Sequence, residues 1–176
     1  MNKIVVIVAG NSGAGKDCLI NMFREMEPSC NRFSITDFAI PIAREMGWDG
    51  ERDEKGRELL ADIIDIGLKY SNKPLMSLAH KCAFDRAKFT FVILKSPKDI
   101  SLYKEVHSAL YSKIKIASCI VYKDPAIVSI ENTEKKLPID CIDYNLHLDL
   151  FDFKISSSQF VTLRAKLLEL MESNNG

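Results

Sequence analysis

The chain has 176 residues, of which 47% are hydrophobic and 27% are charged, values typical of a globular protein with a sizeable core. Basic and acidic residues number 24 each, so the composition excludes a broad electrostatic attraction to nucleic acids or membrane surfaces. No stretch approaches the roughly 18 apolar residues of a membrane span, and because the apolar start is short we expect no signal peptide. We therefore expect a cytoplasmic protein with one domain over residues 1–172 and a frayed tail over residues 173–176.

An unbroken apolar run and a glycine-rich loop open the chain. Residues 3–9 predict a buried strand, and residues 15–26 predict a helix that Pro28 ends. The glycines between them let the backbone wrap around phosphate oxygens with its N–H groups pointing inward. Lys16 then reaches the β- and γ-phosphates, and the helix N-terminus faces the same anion. The pattern indicates a loop that binds ATP or another nucleoside triphosphate, and a glycine-rich turn without a ligand is the alternative. The residues predicted to bind the nucleotide are Gly10, Asn11, Ser12, Gly13, Ala14, Gly15, Lys16, Asp17 and Cys18.

Asp17 departs from the usual pattern of such loops. The residue after the lysine is most often Ser or Thr, whose hydroxyl binds Mg²⁺, whereas this chain has a carboxylate. A carboxylate is a hard oxygen ligand that can hold Mg²⁺ directly or through water. Alternatively, Asp17 only favours the first helical turn, where a negative charge suits the helix dipole. Both interpretations are open.

The remaining apolar runs alternate with helical patterns, which indicates βαβ units and a parallel sheet. The sequence predicts a three-layer α/β/α P-loop NTPase fold with about five parallel strands and helices on both faces. Ligands of such sheets bind beyond the carboxyl ends of the strands. Further strands are predicted over residues 32–35, 89–94, 114–122 and 142–148, and further helices over residues 38–46, 54–70, 74–87, 98–112 and 157–171.

Five segments of the chain form a further pattern: Gly15-Lys16-Asp17, Gly47-Trp48-Asp49-Gly50, and residues 36–43, 53–60 and 142–146. Together these segments resemble the phage-type deoxynucleoside monophosphate kinases. The resemblance implies a P-loop kinase that moves the γ-phosphoryl group of ATP to a (deoxy)nucleoside monophosphate with the help of Mg²⁺. It also implies that residues 38–87 form a helical insertion that binds the acceptor. Nucleotides are the expected partners, and a homodimer is left open.

The insertion offers cationic groups for the acceptor phosphate. Arg57 is the first candidate, both for binding and for catalysis, because a guanidinium can grip a phosphate bidentately; a solvated helix start is the alternative. Arg44 either joins it or decorates an exposed helix face. Asp37 follows the second predicted strand and is either an acceptor-site carboxylate or a helix N-cap. Trp48 either stacks on a base or packs its loop onto the core.

Two features depart from the family pattern in the part of the site that would perform the chemistry. Lys95 stands at the end of the strand over residues 89–94, where the family has a carboxylate that orients Mg²⁺. No arginine occurs between Arg86 and Arg164, although kinases of this type use arginines there to stabilise the transferring phosphoryl group. A nucleotide-binding protein with weak or no turnover, acting as a sensor or assembly element, is therefore an alternative. A kinase for another small phosphate acceptor is a second alternative.

The cysteines and histidines indicate no chemistry of their own. The five cysteines lack metal-site spacing, so we expect reduced and mostly buried thiols. The three histidines have no serine or cysteine partner at useful spacing, and we expect them to be structural. Lys123, Asp124 and Pro125 follow the strand over residues 114–122 and either contact the adenine ring or form an ordinary turn.

Overall fold

The computed structural model describes residues 3–11, 13–122, 144–156 and 159–172, and it confirms the predicted α/β fold. The strands are β1 (Ile4–Ala9), β2 (Cys30–Ser34), β3 (Phe89–Ile93), β4 (Lys115–Tyr122) and β5 (Phe153–Ser156). The α-helices within the described residues are α1 (Lys16–Met26), α2 (Thr36–Glu45), α3 (Glu54–Tyr70), α4 (Lys73–Phe84), α5 (Pro97–Leu110) and α6 (Phe160–Glu172). A 3₁₀-helix, Tyr144–Leu150, precedes β5.

The five strands form one parallel sheet in the order β2-β3-β1-β4-β5. All six residues of β1 are buried, as expected for a central strand that is covered on both faces. Val8 of β1 pairs with Ile93 of β3 and with Cys119 of β4. Because all strands run in the same direction, the segments that follow β1, β2 and β3 lie at one edge of the sheet.

Alternate residues of β1 contribute to two cores on opposite faces of the sheet, which gives the three layers. Ile4, Val6 and Val8 belong to one core, and Val5, Ile7 and Ala9 belong to the other. The first core is completed by α1 and α6, chiefly through Leu19, Phe23, Leu163 and Leu167. The second is completed by α4 and α5, chiefly through Leu75, Leu78, Ile100 and Tyr103. Side chains that alternate between faces in this way are the direct consequence of the period of two along a strand.

The helices α2, α3 and α4 lie between β2 and β3 along the chain. α2 and α3 share a small third core that includes Ala39, Ala43 and Leu60. α3 meets α4 at Gly67, where a Cβ would lie 2.8 Å from the Cγ atom of Pro74. These helices form most of the segment predicted to bind the acceptor.

The prediction of the last strand was wrong. Residues 144–148, which were expected to be extended, lie in the 3₁₀-helix, and β5 follows at Phe153–Ser156; residues 142–143 lie outside the described part of the chain. Leucine occurs at every second position of this segment, which is the pattern typical of a strand. Asp152 determines the true register, because its Oδ2 atom accepts hydrogen bonds from the backbone N–H and the hydroxyl of Ser118 at 2.7 Å each. Cys119 then pairs with Phe153.

The other predicted elements occur within three residues of their expected bounds. The largest change at the end of a helix is at α4, which ends at Phe84 rather than residue 87. The next residue, Asp85, accepts hydrogen bonds from Asn31 of β2 at 2.8 Å and from Thr90 of β3 at 3.0 Å. Among the described residues, no helix is long and apolar enough to cross a membrane.

Candidate phosphate-binding site

The glycine-rich loop connects β1 to α1 at the carboxyl edge of the sheet. Gly10, Gly13 and Gly15 have φ angles of 144°, 76° and 86°, which residues with a Cβ rarely adopt. A Cβ on Gly10 would lie only 2.3 Å from the carbonyl oxygen of Val121, so the loop passes directly against the end of β4. These glycines allow the course of the loop. Ser12 lies outside the described residues, and its predicted contact with nucleotide stays a prediction.

Lys16 is the first residue of α1, and its side chain folds back over the loop. The Nζ atom donates hydrogen bonds to the carbonyl oxygens of Gly10 at 2.7 Å and Asn11 at 2.8 Å. Burial is the main cause that lowers the pKa of this ammonium, the charge of Lys95 lowers it further, and Asp17 acts in the opposite direction. The loop thus holds a partly desolvated positive charge at its own mouth, which is the arrangement that an incoming anion stabilises.

Lys95 lies beside the same loop. Ile93 of β3 pairs with Val8 of β1, and the next backbone bond runs from the N–H of Leu94 to the carbonyl of Val8 at 3.4 Å. Lys95 therefore follows at the level where β1 gives way to Gly10. Its side chain is exposed, and its charge acts on Lys16. Two ammonium groups flank the loop at this edge of the sheet.

Asp17 lies in the first turn of α1 and is paired with Arg32. The Arg32 Nη2 atom lies 3.0 Å from the Asp17 Oδ1 atom. The sequence did not single out Arg32 as a site residue. The sequence holds one indication of its place: Arg32 lies two residues after Cys30, so the two side chains share one face of β2. That face packs against α1. Cys18 is exposed, and its Sγ atom lies 3.7 Å from the Sδ atom of Met22 one turn along α1.

Asp37 is placed just beyond β2, but it is not the N-cap of α2. The capping position belongs to Ile35, and Asp37 lies in the first turn of the helix. Its Oδ2 atom accepts a hydrogen bond from the backbone N–H of Ser34 at 2.8 Å. The hydroxyls of Ser34 and Thr36 lie 2.7 Å apart next to it. A carboxylate and two hydroxyls therefore gather where β2 ends, at the same edge as the glycine loop.

Arg57 and Arg44 are both exposed. The Nε atom of Arg57 donates to the carbonyl of Arg52 at 2.8 Å, so its guanidinium lies against the segment that begins α3. The N-cap of α3 is Asp53, whose Oδ1 atom accepts from the N–H of Gly56 at 2.7 Å. Arg44 lies in the last turn of α2. This placement matches the solvated helix start that the sequence offered as an alternative for Arg57, and its contact with an acceptor phosphate stays a prediction.

Trp48 packs the connection between α2 and α3 onto the third core. Its indole N–H donates to the carbonyl of Glu51 at 2.8 Å. Gly47 and Gly50, on either side of it, have φ angles of 93° and 102°. A Cβ on Gly56 would lie 2.7 Å from the indole nitrogen, so the first turn of α3 lies directly against this ring. The ring is engaged with its own loop and core.

A further carboxylate lies beyond β3. Asp99 is in the first turn of α5, whose N-cap is Ser96. Burial raises the pKa of Asp99, the charge of Asp65 on α3 raises it further, and Lys98 opposes both. The start of α5 and the middle of α3 therefore bring two acidic side chains near each other.

Three of the described cysteines and one histidine lie in the core, whereas Cys18, His80 and His147 are exposed. Cys30, Cys82 and Cys119 are buried, and burial raises the pKa of their thiols to about 11, 11 and 12. His107 is fully buried, and its two ring nitrogens have no hydrogen-bond partner among the described residues. Burial lowers the pKa of His107 to about 4. Cys141 and residues 123–125, the predicted adenine contact, lie outside the described residues.

The donor set near the loop fits magnesium as a companion of bound phosphates. The described residues contain no group of three or more His, Cys, Asp or Glu side chains that would hold a metal ion by themselves. Mg²⁺ is usually held by one or two carboxylates together with phosphate oxygens and water. Asp17, as a single carboxylate next to Lys16, meets that requirement only when phosphate oxygens supply further ligands.

Comparisons with known proteins reveal likeness in fold. No protein-family model matches the chain, and no curated protein matches its sequence. APS kinase from Mycobacterium tuberculosis, solved in complex with AMPPNP and APS, is similar in structure, with a TM-score of 0.52 and 11% identity over 96% of this chain and 98% of that one. A protein from Chloroflexus aurantiacus that is provisionally described as a kinase has a TM-score of 0.51 and 11% identity, over 99% of this chain and 98% of that one. At such identities the likeness concerns the fold alone: the chain has the α/β fold of these proteins.

Proposed function

We propose that this protein binds ATP, or another nucleoside triphosphate, through residues 10–18 and transfers its γ-phosphoryl group to a (deoxy)nucleoside monophosphate. One observation carries the proposal: the ammonium of Lys16 is held across a glycine loop by the carbonyls of Gly10 and Asn11. That loop stands between a buried central strand and the N-terminus of α1, where backbone N–H groups and the helix dipole favour an anion. A polyphosphate would replace the two carbonyls as the partner of Lys16.

Phosphoryl transfer asks a protein for position and positive charge more than for covalent chemistry. Lys16 would bind the β- and γ-phosphates, and the N–H groups of the loop would hold their oxygens. Lys95 would add a second ammonium next to the loop. Mg²⁺ would neutralise charge on the phosphates, and Asp17 is the proposed protein ligand for it, directly or through water.

The acceptor would bind to residues 38–87, close to the end of β2. Arg57 would grip its phosphate, with Arg44 as a second cation and Asp37 as a polar contact. Both arginines are exposed, and Arg57 would only have to exchange the carbonyl of Arg52 for a phosphate. A bidentate contact between a guanidinium and a charged phosphate is stronger than the single hydrogen bond to an uncharged carbonyl that it replaces.

A second candidate function is nucleotide binding with little or no turnover. Two observations favour it: a lysine, Lys95, follows β3 where a metal-orienting carboxylate is expected, and no arginine lies between Arg86 and Arg164. Losing one transition-state arginine lowers the rate of phosphoryl transfer by several orders of magnitude. A P-loop kinase for another small phosphate acceptor, such as a cofactor precursor or phosphomevalonate, is the third candidate.

The proposal is tested by following ADP release in a coupled assay with a panel of ribo- and deoxyribonucleoside monophosphates. Lys16→Ala should lower the turnover roughly a hundredfold or more, because it removes a charge from the transferring group. Lys113→Ala is the matched control, since Lys113 is exposed and precedes β4 at the opposite edge of the sheet. ADP release that does not depend on an added monophosphate would argue against the kinase.

Calorimetry distinguishes the candidates when no nucleoside monophosphate supports turnover. Triphosphate binding that needs Lys16 but ignores both Mg²⁺ and every monophosphate would favour the second candidate. Binding of a triphosphate without binding of any nucleoside monophosphate, together with turnover on another phosphorylated small molecule, would favour the third. No triphosphate binding at millimolar concentration would remove all three.

A further inference from the structure

The ion pair between Asp17 and Arg32 joins the start of α1 to the second strand. Arg32 projects from β2 toward α1, and its Nη2 atom lies 3.0 Å from the Asp17 Oδ1 atom. Asp17 directly follows Lys16, whose ammonium closes the glycine loop. A guanidinium from a distant part of the sequence thus stands beside the one carboxylate in residues 10–18.

A carboxylate at this position is unfavourable for an anion site. A loop of this kind usually has a hydroxyl after its lysine, which adds no charge next to the phosphates. The negative charge of Asp17 would repel a polyphosphate bound one residue away, because Coulomb interactions over a few ångströms remain substantial near a protein surface. The nearby guanidinium offsets most of that charge. The pair as a whole is close to neutral, as a hydroxyl is.

From this geometry we propose that Arg32 is a positioning residue for the triphosphate site: it neutralises the Asp17 carboxylate and holds it in place. The inference rests on the proposed function of the loop. Arg32 acts through Asp17 and is not itself a phosphate ligand. The pairing engages the Oδ1 atom of Asp17, and it leaves Oδ2 for a water or a metal ion that arrives with the nucleotide.

The exposure of the pair argues that it serves binding rather than folding. The side chains of Arg32 and Asp17 retain 39% and 69% of their accessible surface. Ion pairs this exposed contribute little to the stability of a fold. The charges of Asp17 and Arg32 nevertheless act on a ligand that binds a few ångströms away. That effect is large for a polyphosphate, because the phosphates have a higher charge than either side chain.

The test is a double-mutant cycle read by calorimetry with ATP in excess EDTA. Arg32→Ala should weaken Mg²⁺-free binding by roughly tenfold, because it leaves the Asp17 carboxylate uncompensated. Asp17→Asn should bind at least as tightly as the wild type. Arg32→Ala combined with Asp17→Asn should bind within about threefold of Asp17→Asn alone. Arg32→Lys should retain most of the affinity, since an ammonium can also offset the carboxylate.

Two further measurements separate a role in binding from a role in structure. The loss in Arg32→Ala should shrink when Mg²⁺ is present, because the metal ion shields the carboxylate; a structural defect would not respond to the metal. Arg86→Ala serves as the matched control, since Arg86 is an exposed arginine in the segment that precedes β3, at the far edge of the sheet. It should bind like the wild type.

The outcomes distinguish this inference from the proposed function. If the wild type binds no triphosphate, both the proposed function and the inference are refuted. If the wild type binds and Arg32→Ala binds equally well, only the inference fails. If the double variant is as weak as Arg32→Ala, Arg32 contacts the phosphates directly, and the positioning role is refuted.

Discussion

Gly10→Ala is predicted to be more damaging than Gly13→Ala, although each adds a single methyl group to the glycine loop. The new Cβ would lie 2.3 Å from the carbonyl oxygen of Val121 and 3.4 Å from the Cβ of Ala14, on a backbone with φ of 144°. A residue with a side chain in such a conformation costs about 1–3 kcal/mol, and overpacking a tight contact costs about 1–3 kcal/mol more. We expect the free energy of unfolding to fall by about 3 kcal/mol or more.

Gly13→Ala provides the matched comparison in the same loop. Gly13 also has a positive φ, of 76°, but apart from its chain neighbours a Cβ there would meet no atom of the described residues within 4 Å. Only the backbone strain of about 1–2 kcal/mol remains. Urea unfolding of both variants, followed by circular dichroism, measures the difference as a shift of the midpoint at constant slope. Equal stabilities of the two variants would refute the argument that the loop lies directly against β4.

Two further predictions concern a buried histidine and the start of α3. Folding lowers the pKa of His107 from 6.5 to about 4, so the unfolded chain binds the proton first as the pH falls. The contribution of the buried, neutral His107 side chain to the free energy of unfolding is complete above pH 6.5. It is lost as the pH falls toward 4. Between pH 7.5 and 5 the free energy of unfolding of the wild type, measured by urea titrations, should fall by about 2 kcal/mol more than that of His107→Phe. The control His147→Gln changes an exposed histidine and should behave like the wild type. An equal decline in His107→Phe would contradict the prediction. Asp53→Ala removes the carboxylate that caps the N–H of Gly56 and should lower the free energy of unfolding by about 1 kcal/mol. Asp62→Ala is the control: Asp62 lies on the exposed face of the same helix, and its loss should change the stability little.

The glycine loop could be predicted from the sequence because its determinants are contiguous. Six apolar residues produce a strand that is buried on both faces, and the glycines after it have φ values that few other residues adopt. Lys16 needs only the first turn of a helix to reach back over that loop. All of these residues lie within one short segment of the chain, residues 4–16.

The last strand shows where local patterns mislead. Leu146, Leu148 and Leu150 alternate as they would in a strand, yet they lie in a 3₁₀-helix. The element that pairs with β4 is selected by Asp152, whose carboxylate binds Ser118 more than thirty residues earlier in the chain. A long-range hydrogen bond of this kind leaves no trace in the periodicity of the segment itself.

Arg32 was missed for the same physical reason, because its contact with Asp17 joins two separate elements. Fifteen residues separate it from Asp17, and their pairing depends on which face of β2 turns toward α1. The acceptor side is harder still, because Arg57 now binds the carbonyl of Arg52 and would have to exchange that partner for a ligand. The glycines and the lysine of the phosphate loop lie within one short segment of the chain, residues 10–16. The acceptor site would be completed only by side chains that move, so binding of the triphosphate should be measurable even in variants of Arg57 that have lost the acceptor.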